Sequence, residues 1–327
     1  MIEIIDYSDW KEYDGAAEGS GRSEKIWLKS SEGEIGLFKF PKIDPVDKKE
    51  TTEYVSEHLA YKIGQVLGVT TAAVNIGEYR GRIGSMSHFV CQENEVLMEG
   101  IWFISAKFPE YNIETMQDEK DGRYYCLDHL FGTAPKLFSN RVHIEMMLFD
   151  FLIGNSDRHQ SNWALLIKTS LDDQSISIRR CPLYDNGSSL CCYVNSEELP
   201  LLLGKDKNRF NALVDSKSRS TIRIDGSKKK LPSHREVVRY LFENYAVSKQ
   251  IAKDFIVKLT PAVVDNLLDE YPTQILSEGK KKLICKFFSR EDARYGKMQK
   301  LRKRSAASRL HLSQSLPFLS VLIARRY

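Results

Sequence analysis

The feature that most constrains this chain is a short polar segment enclosed by apolar sequence. Asp157 and Asn162 lie five residues apart in Asn155-Ser-Asp-Arg-His-Gln-Ser-Asn162. The preceding run, Val142–Ile153, is apolar almost all round, which predicts a buried helix. Trp163–Lys168, behind the polar segment, predicts a strand. The fold must therefore hold a carboxylate and a side-chain amide together in a loop between a buried helix and a strand.

A carboxylate and an amide at this spacing suit phosphoryl transfer. Asp157 can accept the proton of an attacking hydroxyl, while the amide oxygen of Asn162 can hold a magnesium ion on the phosphates. The protein-kinase catalytic loop has the same Asp-to-Asn spacing. Asp and Asn are also common turn residues, so a polar loop without chemistry is the alternative for this segment taken alone.

A second acidic residue, Asp185, follows the predicted strand Ser175–Arg180 in the segment Pro182-Leu-Tyr-Asp-Asn-Gly187. Kinases place a second metal-holding carboxylate in an Asp-x-Gly segment at this point of the chain. Gly187 is expected to permit the bend that turns the backbone away. A plain turn is the alternative, but the position downstream of Asp157 favours a metal ligand.

Upstream, Lys39 lies in an otherwise apolar strand of the predicted hairpin Ile26–Phe40. A buried lysine is unfavourable unless it is paired, so Lys39 requires an anionic partner such as phosphate. A helix is predicted from about Val46 to Leu67, and on it Glu57 is the candidate ion-pair partner, with Glu53 as the second choice. The alternative is an edge-strand lysine that faces water.

A glycine-rich stretch, Gly15–Lys25, stands immediately before this strand and contains Gly19, Ser20 and Gly21. Backbone amides of such a loop can cradle phosphates, because glycine allows a close approach. A flexible N-terminal loop is the alternative. The position before the lysine strand favours phosphate binding.

The remaining pattern indicates two unequal lobes with a boundary near residues 92–95. Two more strands are predicted, Ala72–Tyr79 and Arg82–Cys91, joined by a tight turn at Gly81. Residues 95–137 show no pattern from which secondary structure can be predicted. Helices are predicted over Ser233–Tyr245, Ser248–Leu259, Pro261–Glu270 and Thr273–Phe288.

Composition excludes few functions but favours a cytoplasmic protein. No apolar stretch approaches twenty residues, and the acidic start lacks the pattern of a Sec signal, although secretion as an effector stays open. The six cysteines show no CxxC spacing and are interpreted as reduced thiols. The net charge is +4, and a basic segment, Lys297–Arg309, could meet nucleic acid or anionic lipid. A solvated helix face is the alternative for that segment.

Taken in order, these motifs resemble the HipA family of serine/threonine kinases. The segment from Ser56 to Gly68 is similar to the family's Glu helix, which also ends in Leu-Gly. The segment from Asn155 to Leu165 is close to its catalytic loop, and Pro182-Leu-Tyr-Asp185 is close to its metal-binding segment. Full-length HipA has an extra N-terminal subdomain, so the chain is more similar to the short CtkA-like or HipT-like forms. The resemblance runs from about residue 15 to 270.

The resemblance implies an α+β, protein-kinase-like fold of two lobes, one small and β-rich, the other larger and α-helical. Residues 1–94 would form the N-lobe, residues 95–296 the C-lobe, and residues 297–327 a basic C-terminal segment. The implied cofactors are ATP and Mg²⁺. The site residues that it implies are Gly19, Ser20 and Gly21 in the loop, Lys39 and Glu57, the adenine hinge Ser87, His88 and Phe89, the catalytic Asp157, and the metal ligands Asn162 and Asp185. His159 is counted among the nucleotide-binding residues. Arg158 or His159 would support the catalytic loop, and a purely structural role is the alternative for His159.

The resemblance also implies partners and regulation. Family members transfer phosphate to serine or threonine of a protein, and some are toxins that phosphorylate aminoacyl-tRNA synthetases and pair with an antitoxin. Nucleic acid would be met only through such a partner or through the basic tail, and no membrane is implied. Members autophosphorylate a serine of the glycine-rich loop. One usual position falls on Glu18, which leaves Ser20 and then Ser23 as the candidates.

Two other functions stay open at this point. A phosphoinositide-type lipid kinase also carries Asp-Arg-His-x-x-Asn, and the basic C-terminal segment could touch anionic lipid. A nucleotide-binding regulator without transfer activity is the alternative from another class. The metal and base positions are all filled, which disfavours an inactive protein.

Overall fold

The computed structural model describes residues 1–14, 24–133, 140–170, 175–214 and 218–289. The predicted phosphate-binding residues Gly19, Ser20 and Gly21, the alternative serine Ser23 and the basic segment 297–327 lie outside these described residues. Their assignments stay predictions.

A six-stranded sheet forms the first part of the described chain. Its strands have the order β1-β5-β6-β4-β3-β2, with β1 parallel to β5 and the other pairs antiparallel. The predicted hairpin is confirmed as β3 and β4, in which Lys25 lies opposite Lys39. The elements are β1 (Ile5–Asp6), β2 (Lys11–Glu12), β3 (Lys25–Lys29), β4 (Ile35–Lys39), α1 (Glu53–Leu67), β5 (Val74–Tyr79) and β6 (Arg82–His88).

Helix α1 begins seven residues later than the predicted start at Val46, so that expectation was wrong. The carboxylate of Asp44 accepts hydrogen bonds from the backbone N–H groups of Val46 and Asp47, at 2.8 and 3.2 Å. Such local bonds offer the backbone an alternative to a helix. The predicted end is confirmed, because Gly68 has a φ of 78° and caps the helix in the left-handed conformation.

The second part of the described chain is mainly helical. The predicted buried helix and the two strands around the polar loops are confirmed as α4, β11 and β12. The short elements before α4 and the helices α5 and α6 were not predicted. The elements are β7 (Glu95–Glu99), α2 (Gly100–Lys107), β8 (Tyr111–Asn112), β9 (Gln117–Asp118), β10 (Arg123–Tyr124), α3 (Leu127–Thr133), α4 (Arg141–Ile153), β11 (Ala164–Ser170), β12 (Ser175–Arg180), α5 (Glu198–Leu203), α6 (Lys207–Ala212), α7 (His234–Asn244), α8 (Ala246–Lys258), α9 (Pro261–Asp269) and α10 (residues 278–289).

Helix α10 is shorter than its predicted range, Thr273–Phe288. The carbonyl of Pro272 accepts hydrogen bonds from the N–H groups of Ile275 and Leu276 and closes a turn there. The helices α7, α8 and α9 lie within a residue or two of their predicted ranges. No helix among the described residues is long and apolar enough to cross a membrane.

Helix α1 packs into the helical body as well as against the sheet. Its buried residues belong to the same apolar core as those of α4, α7 and α8. Polar contacts add to this: Tyr54 donates to the carbonyl of Ile275, and Lys258 donates to the carbonyl of Leu67 at 2.7 Å. The sheet has a separate small core that includes Tyr7, Leu28, Phe38, Tyr79 and Met86. The lobe boundary near residues 92–95 stays a prediction.

Candidate active site

A cavity of about 300 Å³ lies between strand β4, helix α1 and the two polar loops of the helical body. Most of its wall is polar or charged, as expected of a site for a charged ligand. It brings together five of the predicted site residues. Its polar lining consists of Lys39, Lys42, Glu53, Tyr54, Glu57, Ser85, Asp157, His159, Asp185 and Ser188.

Lys39 and Asp185 form an ion pair across this cavity. The Nζ of Lys39 lies 2.7 Å from a carboxylate oxygen of Asp185. Burial disfavours both charges, but for each side chain the attraction to its partner is larger than this cost. The pKa of Asp185 is thereby lowered to about 2, and the pKa of Lys39 is raised. Among the described residues, Lys39 therefore pairs with Asp185 and not with the expected Glu57, whose charge acts on it from further away.

Glu57 is buried, with only 3% of its surface exposed. Its carboxylate accepts the backbone N–H of Asn186 at 2.9 Å, directly beside Asp185. Burial raises the pKa of Glu57, and the nearby Asp185 raises it further against the effect of Lys39. The second choice, Glu53, instead contacts Lys42 at 3.0 Å and Tyr193 at 2.6 Å. Glu57 thus fixes the backbone of the segment that carries Asp185.

Gly187 allows a close approach and does not make the bend, which corrects the expected reason for it. The left-handed residue of this segment is Asp185 itself, with a φ of 56°. A Cβ at position 187 would lie 2.9 Å from the Oε2 of Glu57. Only glycine lets the segment lie against the carboxylate of Glu57 without a shift.

Replacing Gly187 with alanine is expected to lower the free energy of unfolding by about 1–3 kcal/mol, as for an overpacked site. The carboxylate of Glu57 must move, because its bond to Asn186 holds it 2.9 Å from the new methyl group. Urea denaturation measures the change. Gly132→Ala is the matched control, since its Cβ would meet only the end of the exposed Lys107 side chain. Equal stability of the two variants would contradict the packing argument.

The loop from Asn155 to Asn162 holds an exposed carboxylate on a fixed backbone. The side chain of Asn155 accepts the N–H of Asp157 at 3.0 Å. The amide nitrogen of Asn162 donates to the carbonyl of Asp157 at 2.7 Å, so the amide oxygen of Asn162 points the other way. Desolvation raises the pKa of Asp157, and Asp185 raises it further, whereas His159 lowers it. Asp157 is thus a carboxylate with increased basicity.

Arg158 joins this loop to the segment that carries Asp185. It is one of the largest fully buried side chains and forms an ion pair with Asp150 of α4 at 2.9 Å. Its guanidinium also donates to the carbonyls of Asn162 and Tyr184, at 2.6 and 2.7 Å, and to the side chain of Asn186 at 2.6 Å. The two loops are therefore held by one buried cation.

His159 lines the cavity, and its Nδ1 accepts the backbone N–H of Ser161 at 3.2 Å. Together with the buried Arg158, it supports the loop that carries Asp157. This bond fixes the ring, so the orientation of His159 is set by the loop itself.

The predicted adenine hinge does not line this cavity. Ser87 is paired within the sheet, and His88 contacts Asn75 at 2.9 Å. Phe89 packs edge-on against Trp27. The residues that follow, Val90 and Cys91, pack against a separate apolar cluster formed by Ala164, Leu166 and Cys181. The adenine assignment stays a prediction.

Three parts of the site were not predicted from the sequence. Lys42 reaches the cavity only three residues after Lys39, and Ser188 lines it directly after Gly187. Asp150 stands in an otherwise apolar helix run, and a buried carboxylate in such a run requires a buried cation as partner. That last signal was available in the sequence.

A small curved sheet carrying a lysine, set against a helical body that carries Asp157 and Asp185, is the architecture of protein-kinase-like proteins. The predicted α+β fold is thus confirmed. Known proteins with a similar sequence or fold are described next.

No protein-family model matches the chain. The serine/threonine-protein kinase CtkA of Helicobacter pylori strain J99 is 27% identical over 222 residues, which span 64% of this chain and 63% of CtkA. The crystal structure of the Helicobacter pylori proinflammatory kinase CtkA superposes with a TM-score of 0.74 at 18% identity, over 91% of this chain and 99% of that one. HipA in a complex with HipB and operator DNA from Shewanella oneidensis MR-1 gives a TM-score of 0.51 at 15% identity, over 89% and 68% of the two chains.

The chain has the fold that the CtkA and HipA structures share. The predicted resemblance is confirmed by the sequence match to CtkA and by the fold that CtkA and HipA share with this chain. The sequence match spans less than two thirds of CtkA. The activity, substrates and partners of that kinase are therefore proposed for this chain below.

Proposed function

We propose that the protein is an ATP-dependent serine/threonine protein kinase that transfers the γ-phosphoryl group of ATP to a protein hydroxyl. The observation that carries this proposal is the convergence of Lys39, Asp157 and Asp185 on one cavity, although they are far apart in the sequence. The similarity to CtkA supports the same function.

Asn162 and Asp185 are the residues that would hold Mg²⁺. Their oxygens are the hard ligands that this ion prefers, and Asp185 stays ionised because its pKa is lowered to about 2 against the effect of burial, mainly by Lys39. Within the described ranges no three His, Cys, Asp or Glu side chains form a metal-binding group. This fits magnesium, which usually takes one or two protein carboxylates and completes its shell with phosphates and water. Bound with ATP, the ion neutralises charge on the phosphates.

The protein supplies binding, orientation and a base. Lys39 would bind the non-transferred phosphates, with Glu57 holding the metal-binding segment beside it. Asp157 would orient the acceptor hydroxyl and accept its proton. The adenine would lie towards Ser87–Phe89, and the glycine-rich loop with Gly19, Ser20 and Gly21 would cover the phosphates. Autophosphorylation at Ser20 or Ser23 belongs to the same proposal.

A role as the toxin of a toxin–antitoxin pair is part of this proposal. The related HipA structure contains HipB and operator DNA. By this analogy the chain would act in the cytoplasm on a translation protein such as an aminoacyl-tRNA synthetase and would bind an antitoxin. Its contact with nucleic acid would then run through that partner or through residues 297–327.

A transfer assay with radiolabelled ATP and Mg²⁺ tests the activity, with protein acceptors and phosphoinositide vesicles offered side by side. Label is expected on serine or threonine of the protein acceptors. Asp185→Asn should reduce transfer by about 10²-fold or more, as for loss of a group that stabilises transition-state charge. Asp269→Asn on the exposed face of α9 is the matched control. Label on lipid alone would support the lipid-kinase alternative, and nucleotide binding without transfer would support the regulator.

A further inference from the structure

A second lysine, Lys42, faces the cavity and has no role in the mechanism above. It lies three residues after Lys39, beyond the end of β4, so the two lysines enter the cavity from different points. About half of its side chain is buried, with 45% exposed. The Nζ of Lys42 contacts a carboxylate oxygen of Glu53 at 3.0 Å and the hydroxyl of Tyr193 at 3.3 Å. It thus connects helix α1 to the segment behind Asp185.

Glu53 does not depend on Lys42 for its hydrogen bonds. The same carboxylate accepts from the hydroxyl of Tyr193 at 2.6 Å and from that of Thr51 at 2.8 Å. Burial raises the pKa of Glu53, but the hydrogen bonds from Tyr193, Thr51 and Lys42 and the charge of Lys42 together lower it below its ordinary value, so the carboxylate stays ionised. The amine of Lys42 can therefore turn towards a stronger anion without leaving a buried acceptor unsatisfied.

The charge balance of the cavity shows where a cation is needed. The carboxylates of Glu53, Glu57, Asp157 and Asp185 line it, against the amines of Lys39 and Lys42. Lys39 is engaged by Asp185 at 2.7 Å. At the Asp157 side, a carboxylate would repel the oxygens of a phosphoryl group unless a cation lies close by. Lys42 lines the same cavity as Asp157, and after His159 its charge also lowers the pKa of Asp157.

The loop around Asp157 offers no free amine or guanidinium for this task. The guanidinium of Arg158 is fully buried and bound to Asp150 and to backbone carbonyls. The next residue, His159, uses its Nδ1 to accept a backbone N–H, which fixes the ring. Among the described side chains that line the cavity, Lys42 is the amine that is not paired with Asp185.

Resting on the proposed kinase activity, we infer that Lys42 is a catalytic residue that contacts the phosphoryl group in transfer. A bond forms between the acceptor oxygen and the γ-phosphorus while the bond to the β–γ bridging oxygen breaks, and ADP leaves with that electron pair. The acceptor proton passes to Asp157. Lys42 keeps its own protons and donates hydrogen bonds to the non-bridging oxygens, whose charge it stabilises in the transition state.

Lys42→Met in the whole chain of 327 residues is the test, with kcat and KM for ATP measured in the transfer assay. The value of kcat is expected to fall by about 10²-fold, the usual loss for one donor to a charged transition state, with little change in KM. The affinities for Mg²⁺-ATP and Mg²⁺-ADP should both stay within about threefold, because the hydrogen bonds from Lys42 are expected to strengthen only in the transition state. Lys42→Arg should restore part of kcat, because it keeps the charge.

Two controls separate catalysis from a structural role. Lys49→Met removes an exposed lysine of the same loop and should leave kcat unchanged. Tyr193→Phe removes a contact of Lys42 without removing its charge and should change kcat by less than about threefold. An unchanged kcat in Lys42→Met, or an equal loss of ADP and ATP affinity, would overturn the role of Lys42 while the kinase activity stands. A wild-type protein that binds no ATP would overturn the proposed function itself.

Discussion

Replacing Asp157 with asparagine is expected to reduce phosphoryl transfer by about 10²–10⁴-fold, the range for loss of a general base. Nucleotide binding should persist, because Lys39 and Asp185 stay paired at the other side of the cavity. The substitution keeps the size of the side chain, and the backbone bonds of Asp157 to Asn155 and Asn162 do not involve its carboxylate. Transfer rates and the dissociation constant for Mg²⁺-ATP measure the two effects separately.

The exposed Asp9 supplies the matched control for this variant, since Asp9→Asn removes a carboxylate from the surface of the described chain. In the wild type, kcat/KM should fall on the acid side with an apparent pKa above 3.8, because desolvation raises the pKa of Asp157 from that value. That limb reports a base that must be ionised, and it should disappear in the variant. Near-normal turnover of Asp157→Asn would show that another group accepts the proton.

Replacing Arg158 with methionine is expected to lower the free energy of unfolding by about 3–5 kcal/mol, as for the removal of one partner of a buried ion pair. The cost arises because the carboxylate of Asp150, only 3% exposed, is left without its cation. The carbonyls of Asn162 and Tyr184 lose a donor as well. Urea denaturation followed by circular dichroism measures the change.

Arg82→Met provides the comparison, because Arg82 pairs with Glu24 at the surface and such exposed pairs contribute about 0–1 kcal/mol. Adding Asp150→Leu to Arg158→Met should recover part of the lost stability, since the unpaired buried charge is then gone. A loss for Arg158→Met no larger than that for Arg82→Met would mean that the buried pair does not hold the two loops.

The sequence was sufficient to predict the convergence of the site, because each of its central residues stands out from its surroundings. Lys39 interrupts an apolar strand, and Asp157 and Asp185 each follow apolar runs in the order that phosphoryl transfer requires. The partner of Lys39 could not be predicted in this way. Asp185 and Glu57 are both near it, and a difference of a few ångströms between two carboxylates decides which one forms the ion pair.

Other features depended on tertiary contacts that leave weak local signals. The start of α1 is set by the side chain of Asp44, which competes with a helical pattern that continues through the loop. Residues 95–133 form short strands and helices whose pairing partners are remote, such as β7 against β11. The requirement for Gly187 comes from Glu57, which is 130 residues away in sequence, so the glycine alone indicated only a bend.

The packing of α1 has a consequence for how such a protein could be switched on and off. Rotating this helix outwards would expose side chains such as Val55, Leu59 and Ile63, each worth about 1.5–3 kcal/mol when buried. It would also break the bond from Glu57 to the backbone of Asn186. Moving the helix would therefore cost several of these burial contributions at once, so the core holds Glu57 and the segment that carries Asp185 in place together. An outward rotation of α1 is therefore an unfavourable way to switch this site off.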